Sequence, residues 1–151
     1  MQMNQEYRPL PSINGLPLAL YRAGQVRTME LHAIETFGIS GETLMERAGT
    51  YTYEMIRKQW PDAGDITFLC GTGNNGGDGY VAARLAQDAG IEVTVCSMVD
   101  PKLLKGDAAR AYSDWNAKGG AVLQWPLEAG ISCDLALDAL LGTGIDREVG
   151  G

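Results

Sequence analysis

The ten residues from Gly71 to Tyr80, GTGNNGGDGY, hold five glycines, two asparagines and an aspartate between two apolar runs of different character. Before them, Ile66, Thr67, Phe68, Leu69 and Cys70 form a short, apolar, β-prone run. After them, Val81 to Ala89 is alanine-rich with apolar residues at helical spacing. Strand, glycine loop and helix in that order make a geometry that ligand sites use. Glycines let backbone N–H groups approach a ligand closely, and the helix N-terminus carries partial positive charge.

Gly71, Gly73 and Gly76 have the G-x-G-x-x-G spacing, which taken alone points to a dinucleotide-binding turn of the dehydrogenase kind. The rest of the loop argues for something else. It lacks the lysine of a P-loop, and Asp78 puts a negative charge where a cradle for phosphate alone gains nothing from one. Asn74, Asn75 and Asp78 offer amide and carboxylate oxygens that suit sugar hydroxyls, a carboxamide or a hard cation. An ordinary dehydrogenase would also need an acidic ribose partner about 20 residues past the glycines, and only Asp100 stands near, slightly late.

Residues 1–18, with three prolines and no sustained period, read as a loose arm, and residues 19–151 as one domain. From Gly24 the pattern is helical, with Val26, Met29, Ala33 and Phe37 stepping by three and four. A second helix is expected after Gly38, capped by Ser40, with Leu44, Ala48, Tyr51 and Met55 on one face. After Pro61 the chain alternates. A strand is predicted at Asp65 to Cys70, a helix from about Gly79 to Ala89, a strand at Ile91 to Met98 and a helix near Leu103 to Lys118, its inner face marked by Leu104, Ala108, Ala111 and Trp115. Short strands follow at Ala121 to Trp125 and Asp134 to Leu140. Such alternation implies right-handed crossovers and a mainly parallel sheet, a Rossmann-like three-layer α/β/α fold.

With 151 residues and 45% hydrophobic content, the chain has room for one substantial core. The net charge of −7 argues against nucleic acid or an anionic membrane as partner, because no Lys or Arg cluster offsets it. No apolar run approaches the roughly 20 residues of a membrane span, and Met1 to Pro17 is polar, so the chain reads as soluble, unsecreted and cytoplasmic. Cys70, Cys96 and Cys133 lie in or beside three apolar runs with no C-x-x-C pair, as buried free thiols of a reducing compartment do. His32 is the only histidine and falls on a helix expected at the surface, which leaves no basis for a histidine triad or a His-rich zinc site.

GTGNNGGDGY, with LMERAG at Leu44 to Gly49 upstream and DALLGTGIDR at Asp138 to Arg147 downstream, resembles the NAD(P)H-hydrate epimerase family, also called the YjeF amino-terminal domain, over roughly Leu20 to the end of the chain. The resemblance implies an isomerase of nicotinamide nucleotide repair. Such an enzyme interconverts the R and S forms of NADH or NADPH hydrated at C6 of the nicotinamide ring (NADHX and NADPHX), and so feeds an S-specific, ADP- or ATP-dependent dehydratase. It further implies that Asn74, Asn75, Gly76, Gly77 and Asp78 hold the substrate together with Gly142, Thr143, Gly144, Ile145, Asp146, Arg147 and Glu148, the arginine meeting phosphate oxygens. A potassium ion is implied on Asn75 and Asp138, and homodimers through the amino-terminal helices are a further expectation. On the residues alone, Asp138 is equally a strand-end acceptor for the next turn.

Family members continue with another strand and a D-x-P-S-G segment that this chain does not contain. It therefore reads as the incomplete amino-terminal part of a longer epimerase or of a protein with a covalently linked dehydratase domain, and no catalytic residue is assigned within it. The alternative is a non-catalytic nucleotide-binding or scaffolding domain of the same fold.

Overall fold

The computed structural model describes residues 21–127 and 130–143. The expected amino-terminal arm and the positions from Gly144 onward lie outside the described residues. Two helices come first, α1 (Ala23–Phe37) and α2 (Gly41–Gln59), followed by β1 (Asp65–Cys70), α3 (Asn74–Asp88) and β2 (Glu92–Ser97). A short 3-10 turn (Pro101–Leu103), α4 (Gly106–Ala117), β3 (Val122–Gln124) and β4 (Leu135–Ala139) complete the order. The α/β architecture with parallel pairing is the one the alternation predicts.

Each described strand pairs in parallel, and the sheet order is β3-β2-β1-β4. The chain leaves β1 through α3 to β2 and leaves β2 through α4 to β3, then returns across the sheet to β4 on the far side of β1. The direction of strand addition therefore reverses between β1 and β4. At such a switch point the loops after the two strands diverge and leave a crevice at their carboxyl ends. At the opposite end of the strands, Asp134 pins the entry of the sheet: its Oδ2 accepts from the N–H groups of Gly64 (2.9 Å) and Asp65 (3.1 Å).

Ile66, Phe68 and Cys70 of β1 and Val95 of β2 pack with Tyr80, Val81, Ala83 and Ala86 of α3. Burying Phe68 contributes on the order of 2 kcal/mol. Helices α2 and α4 flank α3. Ala108, Ala111 and Trp115 are buried on the inner face of α4, as their spacing predicts; the helix starts at Gly106 and not near Leu103, so Leu104 is buried from the end of the 3-10 turn before it. The Trp115 indole N–H donates to the Ala121 carbonyl at 3.2 Å.

Helix α2 begins where expected, with Ser40 Oγ accepting the Thr43 N–H at 3.1 Å. Its buried face is Met45, Gly49 and Ile56, each one residue on from the predicted Leu44, Ala48 and Met55, and the remaining predicted residue, Tyr51, is exposed. The reason is Gly49. A Cβ there would collide with the Val81 side chain and sit 2.9 Å from the Asp78 carbonyl, so α2 rests on α3 through a missing side chain. A reading that looks for apolar side chains passes over such a contact.

Candidate functional site at the carboxyl ends of β1 and β4

The largest departure from expectation is the start of α3. The segment expected as a loop up to about Gly79 turns helical at Asn74, so NNGGD forms the first turn and more of a 15-residue helix. Asn and Gly are poor helix formers, and tertiary packing overrides them. A Cβ on Gly76 would strike the Gly71 carbonyl, one on Gly77 would meet Met45 and Ala108, and one on Gly79 would lie 2.8 Å from Ala139 Cβ and 2.9 Å from Cys70 Sγ. These glycines bring protein against protein on three sides of the helix. The side chains between them, Asn74, Asn75 and Asp78, follow helical spacing and line a cavity of about 890 Å³.

The cavity lies at the switch point. Its lining combines Thr72, Gly73, Asn74, Asn75 and Asp78 after β1 with Asp138, Leu140, Leu141, Gly142 and Thr143 at the end of β4. The two loops touch. A Cβ on Gly142 would sit 3.0 Å from Asn75 Cβ, and the Gly71 N–H donates to the Ala139 carbonyl at 3.0 Å. Asn74, Asn75, Asp78, Asp138, Gly142 and Thr143 thus come together in one cavity. Gly76 and Gly77 are buried and do not line the cavity; their α-carbons face protein. Gly144, Ile145, Asp146, Arg147 and Glu148 lie outside the described residues.

The fourth wall was not foreseen. Ala23, Val26, Arg27 and Glu30 of α1 close the cavity from the far end of the described chain. No local pattern announces this, because which face of α1 meets the switch point depends on how the helix lies against loops distant from it in the chain. Of the residues that step by three and four along α1, Val26 and Ala33 are half-buried, whereas Met29 is 45% and Phe37 69% exposed.

Two electrostatic features shape the site. Asp78 is pushed from 3.8 to about 7, first by burial and then by the nearby negative charge of Glu30. Asp138 is exposed, and its Oδ1 accepts the Leu140 N–H at 2.9 Å. The strand-end role therefore occupies one carboxylate oxygen, while the side chain still lines the cavity.

The other candidates fall elsewhere. Asp100 caps the 3-10 turn, its Oδ1 accepting the Lys102 N–H at 3.0 Å, and it is not among the residues that line the cavity. Glu46 and Arg47 of LMERAG line a separate groove of about 1000 Å³ between α2, α3 and α4, where Glu46 pairs with Arg84. Cys70 and Cys96 are buried free thiols, and burial, with Cys96 nearby, pushes Cys70 up to about 12, far from a nucleophile's range. His32 is exposed on α1 and bonds Thr36 Oγ1 at 2.9 Å.

Residues 41–151, which begin at α2 and include both loops of the cavity, match the family described as YjeF-related protein N-terminus. The chain belongs to this family. It is 42% identical over 134 residues to the bifunctional NAD(P)H-hydrate repair enzyme Nnr of Escherichia coli strain K12, a match covering 86% of this chain and 25% of that protein. It is 38% identical over 136 residues to the NAD(P)H-hydrate epimerase of Rhodobacter capsulatus, covering 83% of this chain and 63% of that one. The chain thus spans about a quarter of the bifunctional relatives' length. The crystal structure of yeast ynu0 superimposes with a TM-score of 0.75 at 19% identity, over 88% of this chain and 60% of that one, which establishes the shared fold. Among the described residues no helix is long and apolar enough to cross a membrane.

Proposed function

We propose that this chain is the epimerase part of an NAD(P)H-hydrate repair protein, interconverting the R and S forms of NADHX and NADPHX. The observation that carries the reading is the cavity at the β1/β4 switch point, where Asn74, Asn75, Asp78 and Asp138 converge in a member of this family. The names of its relatives support the substrate.

The reaction needs little covalent help from protein. The ring nitrogen's lone pair expels the C6 hydroxyl, the C–O electrons leave on oxygen, and a proton converts that oxygen to water. The planar cation then takes water on its other face, and the proton is returned. The site must hold the ring, admit one water and supply a group that gives and regains a proton near neutral pH. Asp78 has the matching acidity among the described residues, and the Asn74 and Asn75 amides offer donors and acceptors to hold the carboxamide and sugar.

Potassium is part of the proposal. Among the described residues no three His, Cys, Asp or Glu side chains gather as a metal centre. The donors at hand are the Asn75 amide and the carboxylate oxygen of Asp138 that Leu140 does not use, hard oxygens that fit a weakly held cation. Bound there, the ion supplies positive charge to a cavity rich in carboxylates.

The product passes to an S-specific, ADP- or ATP-dependent dehydratase, linked or separate. A second copy of the chain would cover the bare side of α1, where Leu31 and Phe37 are exposed. The reducing cytoplasm is the compartment that the unpaired thiols of Cys70 and Cys96 support.

The test is the interconversion of purified R-form NADPHX by the full-length protein with and without potassium. Turnover that falls on Asn75→Ala and on Asp138→Ala supports the reading. A folded, potassium-supplied protein that leaves the R form untouched favours the non-catalytic nucleotide-binding or scaffolding alternative instead.

A further inference from the structure

The proposed substrate carries a pyrophosphate, and its NADPH-derived form carries one phosphate more, yet the cavity presents three carboxylates, Glu30, Asp78 and Asp138. Arg27 of α1 is the one basic residue among the described residues that line it. An anionic ligand entering so acidic a space needs a cation to meet it.

Arg27 is suited to that task by its place and by what it does not do. It precedes Glu30 by three positions, so one helical turn presents both side chains to the cavity. Arg84, Arg110 and Lys118 each pair with a carboxylate, whereas among the described residues Arg27 forms no ion pair, even with Glu30 one turn away. Its guanidinium keeps a planar fork of N–H donors, the arrangement that meets two phosphate oxygens at once.

Resting on the epimerase reading, we infer that Arg27 binds the phosphate groups of the substrate and so makes α1 a working wall of the site. Helix α1 buries none of its own residues. Contact between Arg27 and a phosphate would therefore tie the helix to the cavity, adding order that packing does not provide.

The experiment measures binding of ADP-ribose and of 2′-phospho-ADP-ribose to the full-length protein by calorimetry, and hydrogen exchange of α1 with each, in wild type, Arg27→Ala and Arg27→Lys. Arg110→Ala, which removes a positive charge from outside the cavity, is the control. Arg27→Ala is expected to weaken binding about 10- to 100-fold, the range of a charged hydrogen-bonded contact. Arg27→Lys should recover part of it, and ligand-induced protection of α1 should vanish with the alanine. Equal weakening for both probes assigns Arg27 to the pyrophosphate, and weakening of the 2′-phosphorylated probe alone assigns it to that phosphate. Unchanged affinity for both probes in an Arg27→Ala protein that melts like wild type overturns the inference. A wild type that binds both probes through Arg27 but turns over no NADPHX sinks the reaction and leaves the phosphate contact standing. A wild type that binds neither probe overturns both.

Discussion

Helices α3 and α1 wall the same cavity, have the same length of 15 residues, and are held in opposite ways. Helix α3 is sunk between the sheet, α2 and α4, with eight residues buried from Gly76 to Ala86, whereas α1 has none. The difference separates two tasks in one site. Asn74, Asn75 and Asp78 are fixed by packing, so their mutual spacing survives without ligand. Arg27 and Glu30 are fixed only by their own helix, so their distance from the floor is open to adjustment.

The strongest way to break this comparison is to make the same small change on each helix. Gly76→Ala would drive a methyl into the Gly71 backbone, and we expect a loss of about 3 kcal/mol and a melting temperature lower by about 10 °C. Gly24→Ala in α1 meets nothing within 4 Å and should be neutral or stabilising by up to about 1 kcal/mol. Parallel thermal melts decide the matter, and equal losses would show that α1 is as firmly held as α3.

Next in size, Asp138→Ala in the full-length protein should lower potassium-supported epimerisation about 10- to 100-fold. The melting temperature should move far less than with Gly76→Ala, since only the Leu140 N–H loses a partner. A potassium titration that is identical in the variant would remove Asp138 from the ion site.

The pH dependence sharpens the contrast from the side of α3. The folded-state pKa of Asp78, about 7, stands above the unfolded value of 3.8, so between these values the folded protein binds more protons than the unfolded one. Stability is therefore unpenalised below about pH 4, falls as the pH rises, and carries the full penalty above about pH 7. Allowing for solvent screening, the effect is on the order of 1 kcal/mol. Asp78→Asn should raise the melting temperature at pH 8 by about 3 °C and leave it unchanged at pH 4. Melts of both proteins across that range check the sign, and a variant that tracks wild type at every pH would show that the carboxyl is not penalised.

The smallest effect belongs to the bare side of α1. Phe37→Glu should change stability by less than about 0.5 kcal/mol, because the side chain is 69% exposed. If a second copy covers this side, sedimentation of the full-length protein will shift from dimer toward monomer. An unshifted boundary would move the interface elsewhere.

Much of the fold was legible because its signals are local. β1 spans the residues its β-prone run marks, Ser40 caps α2 as its position before the helical period requires, and the buried stripe of α4 is written in Ala108, Ala111 and Trp115. The buried face of α2 was missed by one residue because it turns on Gly49, which contributes closeness in place of apolar area. Among the residues that line the cavity, Asn74, Asn75 and Asp78 could be singled out by chemistry, since amides and carboxylates concentrated beside glycines have few structural uses; Asp138 could not, because on the residues alone it is equally a strand-end acceptor, a role it does fill.

The sequence by itself determined the order of strands and helices, the glycine-rich turn after β1 and the polar groups gathered there, because each depends on residues within a few positions of one another. Only the tertiary structure decided that NNGGD is helical, that Gly76 and Gly77 face protein, and that Arg27 and Glu30 of α1 complete the cavity. A helix start rich in Asn and Gly is opposed by local propensity, at a cost approaching 1 kcal/mol for each glycine. It forms because Gly76, Gly77 and Gly79 let the Gly71 backbone, Met45, Ala108, Ala139 and Cys70 close around it. Those partners lie as much as 60 positions away in the chain, and no local reading joins them.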